Sequence, residues 1–323
     1  MKTKELIESV VGNNPEVREL HPTILKNINR KKKFVDDRVQ LFDDGLPMFS
    51  WLELSPVDMC NRSCVFCPRN DKSIAPNQRL YMPRKLYEGM AKELEEIGYE
   101  GTVNICGYGE PMMHPEINDM IAAFSAVCNT ELVTNGDFLN VKRIRKLHEA
   151  GCDKILVSMY DGPHQVEKFE KMFAEAGIPR EVWMLRDRWY NEDDEYGLKL
   201  TNRAGVIQIG EQPKIDTTRK CFYTHYSMTI EWNGDVYLCP QDWHRRVQTG
   251  NVLAQSLVEV WRSKNLDKFR RMLGAGRRTA FPCNTCNADG MVHGGMQWYA
   301  VVPNGIRWYL VVLDGIQWYC LLV

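Results

Sequence analysis

Residues 51–67 read WLELSPVDMCNRSCVFC: a short apolar strand, Trp51-Leu52-Glu53-Leu54, that runs straight into three cysteines at Cys60, Cys64 and Cys67. Iron–sulfur clusters are held by cysteine thiolates, normally four for a cubane. Three in one compact loop leave one iron of a cubane without a protein ligand. An open metal position can bind substrate or cofactor, as it does on a catalytic zinc. The competing reading is a zinc site or three unrelated thiols, but zinc knuckles usually come as paired Cys-x2-Cys units and no fourth ligand lies nearby.

Working outward, the chain alternates. Helical patterns over 83–97, 114–127, 141–150 and 164–176 separate strand patterns over 102–106, 131–134, 154–159 and 181–185. Gly151 and Gly177 stop two of the helices. Strands alternating with helices of this length mean βαβ units and a parallel sheet. Residues 1–45 read as a polar, helix-rich lead-in without recognisable chemistry, and its basic run Arg30-Lys31-Lys32-Lys33 as a solvated surface stretch. The polar stretch 191–214 reads as a linker out of the first domain.

Beyond it the pattern changes. Met228–Trp232 and Asp235–Leu238 alternate around Asn233-Gly234, the strongest short-range hairpin signal. A helix is expected over 256–273, with Ser256 as N-cap and Gly274 past its end. A hairpin and one helix are too little for a separate core, and small domains of this kind usually need a metal. Cys221, Cys239 and the pair Cys283-x2-Cys286 supply four thiolates, enough for an all-cysteine zinc site or a fully ligated cubane. The tail repeats Gly-x-x-Trp-Tyr at Gly295, Gly305 and Gly315. It reads as a duplicated terminal segment or as strands added to an edge, with an attached peptide substrate as the sharper alternative.

The whole-chain numbers agree with metal chemistry. The 323 residues carry 11 cysteines and a net charge of -1. The balanced charge gives no reason to expect nucleic-acid or anionic-membrane binding. No apolar run approaches the ~20 residues that span a bilayer. The start, MKTKELIESVV, lacks the apolar core of a signal peptide, so a cytoplasmic location is expected. Cytosolic thiols stay reduced, which favours metal binding or catalysis over a disulfide framework.

Taken in order, these residues resemble the radical S-adenosylmethionine (SAM) enzymes. Cys60-x3-Cys64-x-Phe66-Cys67 matches their cysteine signature. Gly107-Tyr108-Gly109-Glu110-Pro111 follows the second strand like their Gly-Gly-Glu-type motif, Thr134-Asn135-Gly136 closes the third, and Ser158 lies on the fourth. Cys221, the Trp232–Val236 turn, Cys239-Pro240, Gly250-Asn251-Val252, Trp261 and the late cysteine pair resemble the family's SPASM/twitch extension. The resemblance implies an α/β protein with a partial (β/α)6 barrel and a small C-terminal cluster-binding domain. The expected boundaries are lead-in 1–45, barrel 46–210, auxiliary domain 211–294 and repeat tail 295–323.

The resemblance further implies a [4Fe–4S] cluster on Cys60, Cys64 and Cys67, whose open iron chelates SAM. Phe66 would lie near the adenine, Gly107, Gly109 and Glu110 would meet the amino group, and Ser158 would contact SAM. One auxiliary [4Fe–4S] cluster would sit on Cys221, Cys239, Cys283 and Cys286. Reductive cleavage of SAM yields a 5′-deoxyadenosyl radical that takes hydrogen from a substrate, with a flavodoxin- or ferredoxin-like protein as reductant. The expected substrate is a small polar molecule such as a sugar or aminocyclitol, dehydrogenated or epimerised. A peptide substrate is the first alternative, and a non-catalytic zinc protein an alternative of another class. Cys106, on the face of its strand shared with Asn104, and Cys152 are candidate hydrogen donors.

Overall fold

The computed structural model describes residues 22–35, 39–189, 201–207, 214–288, 290, 308–313 and 316–321. Most of the expected linker and the first tail repeat therefore lie outside the described residues. Strands β1 (Trp51–Ser55), β2 (Thr102–Ile105), β3 (Asn129–Thr134), β4 (Lys154–Met159) and β5 (Trp183–Asp187) are parallel neighbours. Between them run helices Arg84–Glu96, Ile117–Ser125, Val141–Glu149 and His164–Ala176, which become α2 to α5 because a further helix, α1 (Pro22–Val35), precedes β1.

Side-chain alternation divides the sheet into two chemistries. Leu52, Leu54, Val103, Ile105, Leu132, Ile155 and Val157 are fully buried and join the core beneath Leu86, Met90, Ile121, Phe124, Ile144 and Phe169 of the covering helices. The opposite face carries Glu53, Asn104, Glu131 and Ser158, and these are the residues that line the inside of the curve.

The sheet does not stop where the expected domain boundary falls. Strand β6 (Ser227–Glu231), preceded by a one-turn helix Tyr223–Tyr226 (α6), pairs in parallel with β1. The strand order is β5-β4-β3-β2-β1-β6-β7-β8, with β7 (Asp235–Tyr237) and β8 (Gln248–Asn251) antiparallel. The Asn233-Gly234 turn is thus correctly placed, but its first strand is the sixth parallel strand of the barrel. Met228, Ile230, Val236, Leu238, Val260 and Trp261 belong to the same apolar core as the barrel. The second part therefore shares a core instead of depending on metal for one.

The helix expected over 256–273 is two: α7 (Leu257–Trp261) and α8 (Lys264–Gly274). Ser256 and Glu259 form a reciprocal capping box at the first. Ser263 accepts from Leu266 N and starts the second. An internal serine competes with the helix for backbone donors, which is why the chain breaks there. In the tail, β9 (Trp308–Leu313) and β10 (Ile316–Leu321) pair antiparallel with each other and form their own two-stranded sheet.

The largest departure from expectation is α1. Arg30 and Lys31 are not solvated. Arg30 pairs with Glu131, Lys31 lies 3.4 Å from Glu53, and both cations sit over the Trp51 ring at 5.0 and 4.6 Å. Phe34 and Val35 pack with Trp51, Phe222 and Tyr226. One face of α1 closes the lower end of the barrel, and its basic residues answer carboxylates that the strands point inward.

Candidate active site

Cys60, Cys64 and Cys67 lie in the loop leaving β1, at the C-terminal ends of the parallel strands, where open α/β sheets hold ligands. The three thiols are half-buried, and Cys64 and Cys67 each lie close enough to neighbouring thiols to be raised by them. Burial and the neighbouring thiols push Cys64 to about 12 and Cys67 to about 11, and burial raises Cys60. Thiols raised in this way become thiolates when a metal compensates. Arg62 N donates to Cys60 Sγ at 3.4 Å. Such donors to sulfur tune cluster potentials. A cluster therefore fits this donor set.

The loop is tied down from both sides. Arg62, between two of the cysteines, forks onto Asp137 after β3 at 2.5 and 2.5 Å and onto Asp161 after β4 at 2.6 and 2.7 Å. Asn135 Nδ2 donates to Asn61 Oδ1 at 2.8 Å.

Residues 107–110 leave β2 directly against this loop. A Cβ on Gly107 would stand 2.2 Å from Ser55 Oγ, and one on Gly109 2.2 Å from the Val57 carbonyl oxygen. Gly107 also has φ +112°, so glycine is required by both space and conformation. Glu110 N donates to Met59 O at 2.8 Å. The Glu110 carboxylate is buried and accepts from Thr134 Oγ1 (2.6 Å), Asn135 N (2.8 Å) and Met112 N (3.1 Å). Desolvation nevertheless raises its pKa to about 7. An ammonium brought beside it would favour the charged form.

At the next strand ends, Ser158 and Arg186 are register partners, and Arg186 Nη2 donates to Ser158 Oγ at 2.7 Å. Arg186 Nε is buried without a partner. A guanidinium with a free donor suits a carboxylate ligand. Phe66 packs against Tyr160 with centroids 5.6 Å apart, so an aromatic wall stands on the cysteine-loop side.

The four later cysteines converge. Cys221, Cys239, Cys283 and Cys286, all buried, line one pocket together with Leu238, Leu273 and Pro282. Burial and the other three thiols hold the Cys239 pKa well above the ordinary range. Arg278 braces the walls, donating to the carbonyls of Arg219 (2.7 Å), Lys220 (2.9 Å) and Cys286 (2.9 Å). Four buried cysteines lining one pocket are the donor set that would hold a fully ligated cluster.

Residues 54–184 match the Radical SAM superfamily, and residues 221–287 match the SPASM iron–sulfur cluster-binding domain. The chain is a radical SAM protein with a SPASM domain. Among curated relatives, the radical SAM/SPASM chain is 26% identical over 247 residues to the S-adenosyl-L-methionine-dependent 2-deoxy-scyllo-inosamine dehydrogenase of Niallia circulans, which covers 74% of this chain and 93% of that one. It is 29% identical over 126 residues to the serine-type anaerobic sulfatase-maturating enzyme of Bacteroides thetaiotaomicron, covering 36% and 30%. The crystal structure of BtrN in complex with AdoMet and 2-DOIA superposes with a TM-score of 0.61 at 24% identity, over 75% of this chain and 94% of that one. The fold is shared. SAM, the radical SAM cluster and an auxiliary cluster are this enzyme's cofactors.

Of the two candidate hydrogen donors, the radical SAM fold brings one to the site. Cys106 stands directly before Gly107, and Asn104 Nδ2 donates to its Sγ at 3.3 Å. Cys152 precedes β4, at the opposite end of the strands, 2% exposed in the core with its thiol donating to the Lys154 carbonyl at 3.4 Å. It cannot reach a substrate at the strand C-termini, and its candidacy is withdrawn. Arg62, Arg186, Lys31 and Glu53 were not foreseen. The legible signal was there for Glu53 alone: a charged residue between leucines on a parallel strand needs an inward polar space.

Proposed function

We propose that this radical SAM/SPASM enzyme oxidises a hydroxyl of a small polyol, an aminocyclitol or sugar, to a ketone. The observation that carries the reading is the convergence of Cys221, Cys239, Cys283 and Cys286 on one pocket, the one four-cysteine group among the described residues. A fully ligated cluster cannot chelate substrate without losing a ligand, but it can receive an electron. The dehydrogenase from Niallia circulans, similar along nearly its whole length, acts on a substrate of this class.

In this reading Cys60, Cys64 and Cys67 hold the catalytic cluster, and Cys221, Cys239, Cys283 and Cys286 the auxiliary one. The cofactors supply a carbon radical that removes hydrogen from the substrate. The chain's own residues orient and shield. Glu110, approached through Gly107 and Gly109, takes the SAM ammonium. Ser158 and Arg186 take its carboxylate, and Phe66 with Tyr160 packs the adenine side. An external flavodoxin- or ferredoxin-like reductant and a cytoplasmic setting belong to the same proposal.

The test is anaerobic incubation of reduced, reconstituted enzyme with SAM and carbon-deuterated polyols or peptides. Deuterium in 5′-deoxyadenosine from a polyol, with ketone formed, is expected. Transfer from a peptide instead would replace this reading by peptide maturation.

A further inference from the structure

The inner face of the sheet carries one continuous polar row. By strand register Thr229, Glu53, Asn104, Glu131 and Lys154 stand side by side across β6, β1, β2, β3 and β4. Adjacent strands are ~4.8 Å apart, so the row presents polar groups at the scale of hydroxyls around a small ring. Two of its atoms are buried without partners: Asn104 Oδ1, on a residue only 5% exposed, and Thr229 Oγ1. They flank Glu53 on either side. Buried polar atoms are normally satisfied, so each of these two has room for a partner such as water or a substrate hydroxyl.

The acids near this interior are not equivalent. Glu110 accepts from three donors. Glu131 is paired with Arg30, Glu231 with Arg245 at 2.9 Å, and Asp58 with Arg69 at 3.0 Å. Asp242 accepts from Val247 N and Arg246 N. Glu53 has one long contact, Lys31 Nζ at 3.4 Å, and its side chain keeps 16% exposure against 2% for Glu131. It also lies among titratable groups from both halves of the site: Arg30 and Lys31 from α1, Cys106 before the glycine loop, Arg186 on β5, and Tyr223 and Tyr226 beside the auxiliary cysteines.

We propose that Glu53 is the proton acceptor for the oxidised hydroxyl, with Asn104 and Thr229 holding neighbouring hydroxyls and Lys31 of α1 positioning the carboxylate. The inference rests on the dehydrogenase reading above. The step balances as follows. The C–H hydrogen leaves as an atom to the SAM-derived carbon radical. The hydroxyl proton passes to Glu53, and the electron left on carbon goes to the auxiliary cluster as C–OH becomes C=O. The substrate loses two hydrogens, one as an atom and one as a proton. The N-terminal helix, outside the matched radical SAM segment, thereby becomes part of the reaction chamber.

Glu53→Gln keeps size and hydrogen bonding but cannot take a proton. General bases contribute ~10²–10⁴-fold. Ketone formation should therefore fall about 100-fold or more, while substrate-dependent 5′-deoxyadenosine stays within about threefold of wild type and a substrate radical accumulates in freeze-quenched EPR. Calorimetric affinity for the polyol should change by less than about threefold. Glu53→Asp should restore part of the ketone, which a purely structural carboxylate would not require. Ketone at the wild-type rate in Glu53→Gln overturns the assignment. So does an equal loss of ketone and 5′-deoxyadenosine, which would mark a structural role. If wild type itself takes no hydrogen from any polyol, the dehydrogenase reading fails first, and that result is read before any variant is made.

Discussion

Arg62 offers a quantitative test of how the cysteine loop is held. Its guanidinium makes four bonds of 2.5–2.7 Å to Asp137 and Asp161, in two forks, and its carbon centre lies 5.5 Å from the Tyr160 ring. The geometry is that of strong charge-assisted pairs. The setting discounts it, since Asp161 is 47% exposed and Asp137 26%. Solvent-screened pairs reach ~1 kcal/mol each when bidentate, giving about 2 kcal/mol for both forks. At 1.36 kcal/mol per decade, Arg62→Met should open the loop about 30-fold more often. Chelator-driven iron loss from anaerobically reconstituted protein should accelerate by a similar factor. Arg62→Lys should fall between, because an ammonium cannot fork onto two carboxylates. The pH dependence has a definite sign. Arg62 holds the Asp161 pKa below its usual range. The clamp is therefore complete above the unfolded carboxylate value of ~3.9 and is lost as pH falls through the lower folded value. Iron loss from Arg62→Met at the wild-type rate would refute the clamp.

Glu110, with its pKa raised to about 7 by burial, contributes stability that is full below the unfolded value of ~4.3 and is lost as pH rises through about 7. Thermal unfolding of SAM-free protein should decline across that window, and Glu110→Gln should flatten the decline. SAM binding near pH 6.5 should release a proton from Glu110, visible as buffer-dependent calorimetric heat, and the variant should release none. Cys239→Ala should remove the auxiliary cluster's iron while the radical SAM cluster's EPR signal persists; loss of zinc in place of iron would contradict the cluster assignment. Ala204 sits at φ +54°, next to Arg203 at +47°, and non-glycine residues pay ~1 kcal/mol or more there. Ala204→Gly should therefore raise the urea midpoint, and a fall would show that the methyl's packing outweighs the strain.

The parts of the molecule that could be read from sequence are those whose signal is local. Cys60, Cys64 and Cys67 announce themselves by spacing, and β1 to β5 by alternation with helices of ordinary length. The Asn233-Gly234 turn was legible because its residues supply the turn conformation themselves. The parity of Asn104 and Cys106 followed from the strand period, and the 3.3 Å contact between them agrees. What failed was non-local. Nothing in residues 227–231 states that they will pair with β1 and not with a separate small domain. That choice depends on the β1 edge left open after β2 has taken the other side. The apolar positions of 256–273 predict one helix through Ser263 because they stay in helical register on both sides of the break.

Helix α1 is the instructive case, because each half of its ion pairing is visible separately in the sequence. Arg30-Lys31-Lys32-Lys33 looks like a solvated charge run when taken alone, which is what most such runs are. Glu53 and Glu131, taken alone, look like charged residues on strands that ought to be apolar. An unpaired carboxylate inside a barrel would be costly enough to neutralise itself, so two inward carboxylates require two cations from somewhere. Long basic side chains can lay their stems along apolar surface and deliver the charge at the tip. Trp51 provides that surface, with Arg30 and Lys31 over its ring. The charges thus make sense only as a set of four. The set is also unequal: Arg30 and Glu131 are nearly sealed, while Lys31 and Glu53 keep some access to the interior. A sealed pair serves the fold, whereas the part-open pair, with unpartnered polar atoms on both sides, is the one the proposal assigns to a substrate.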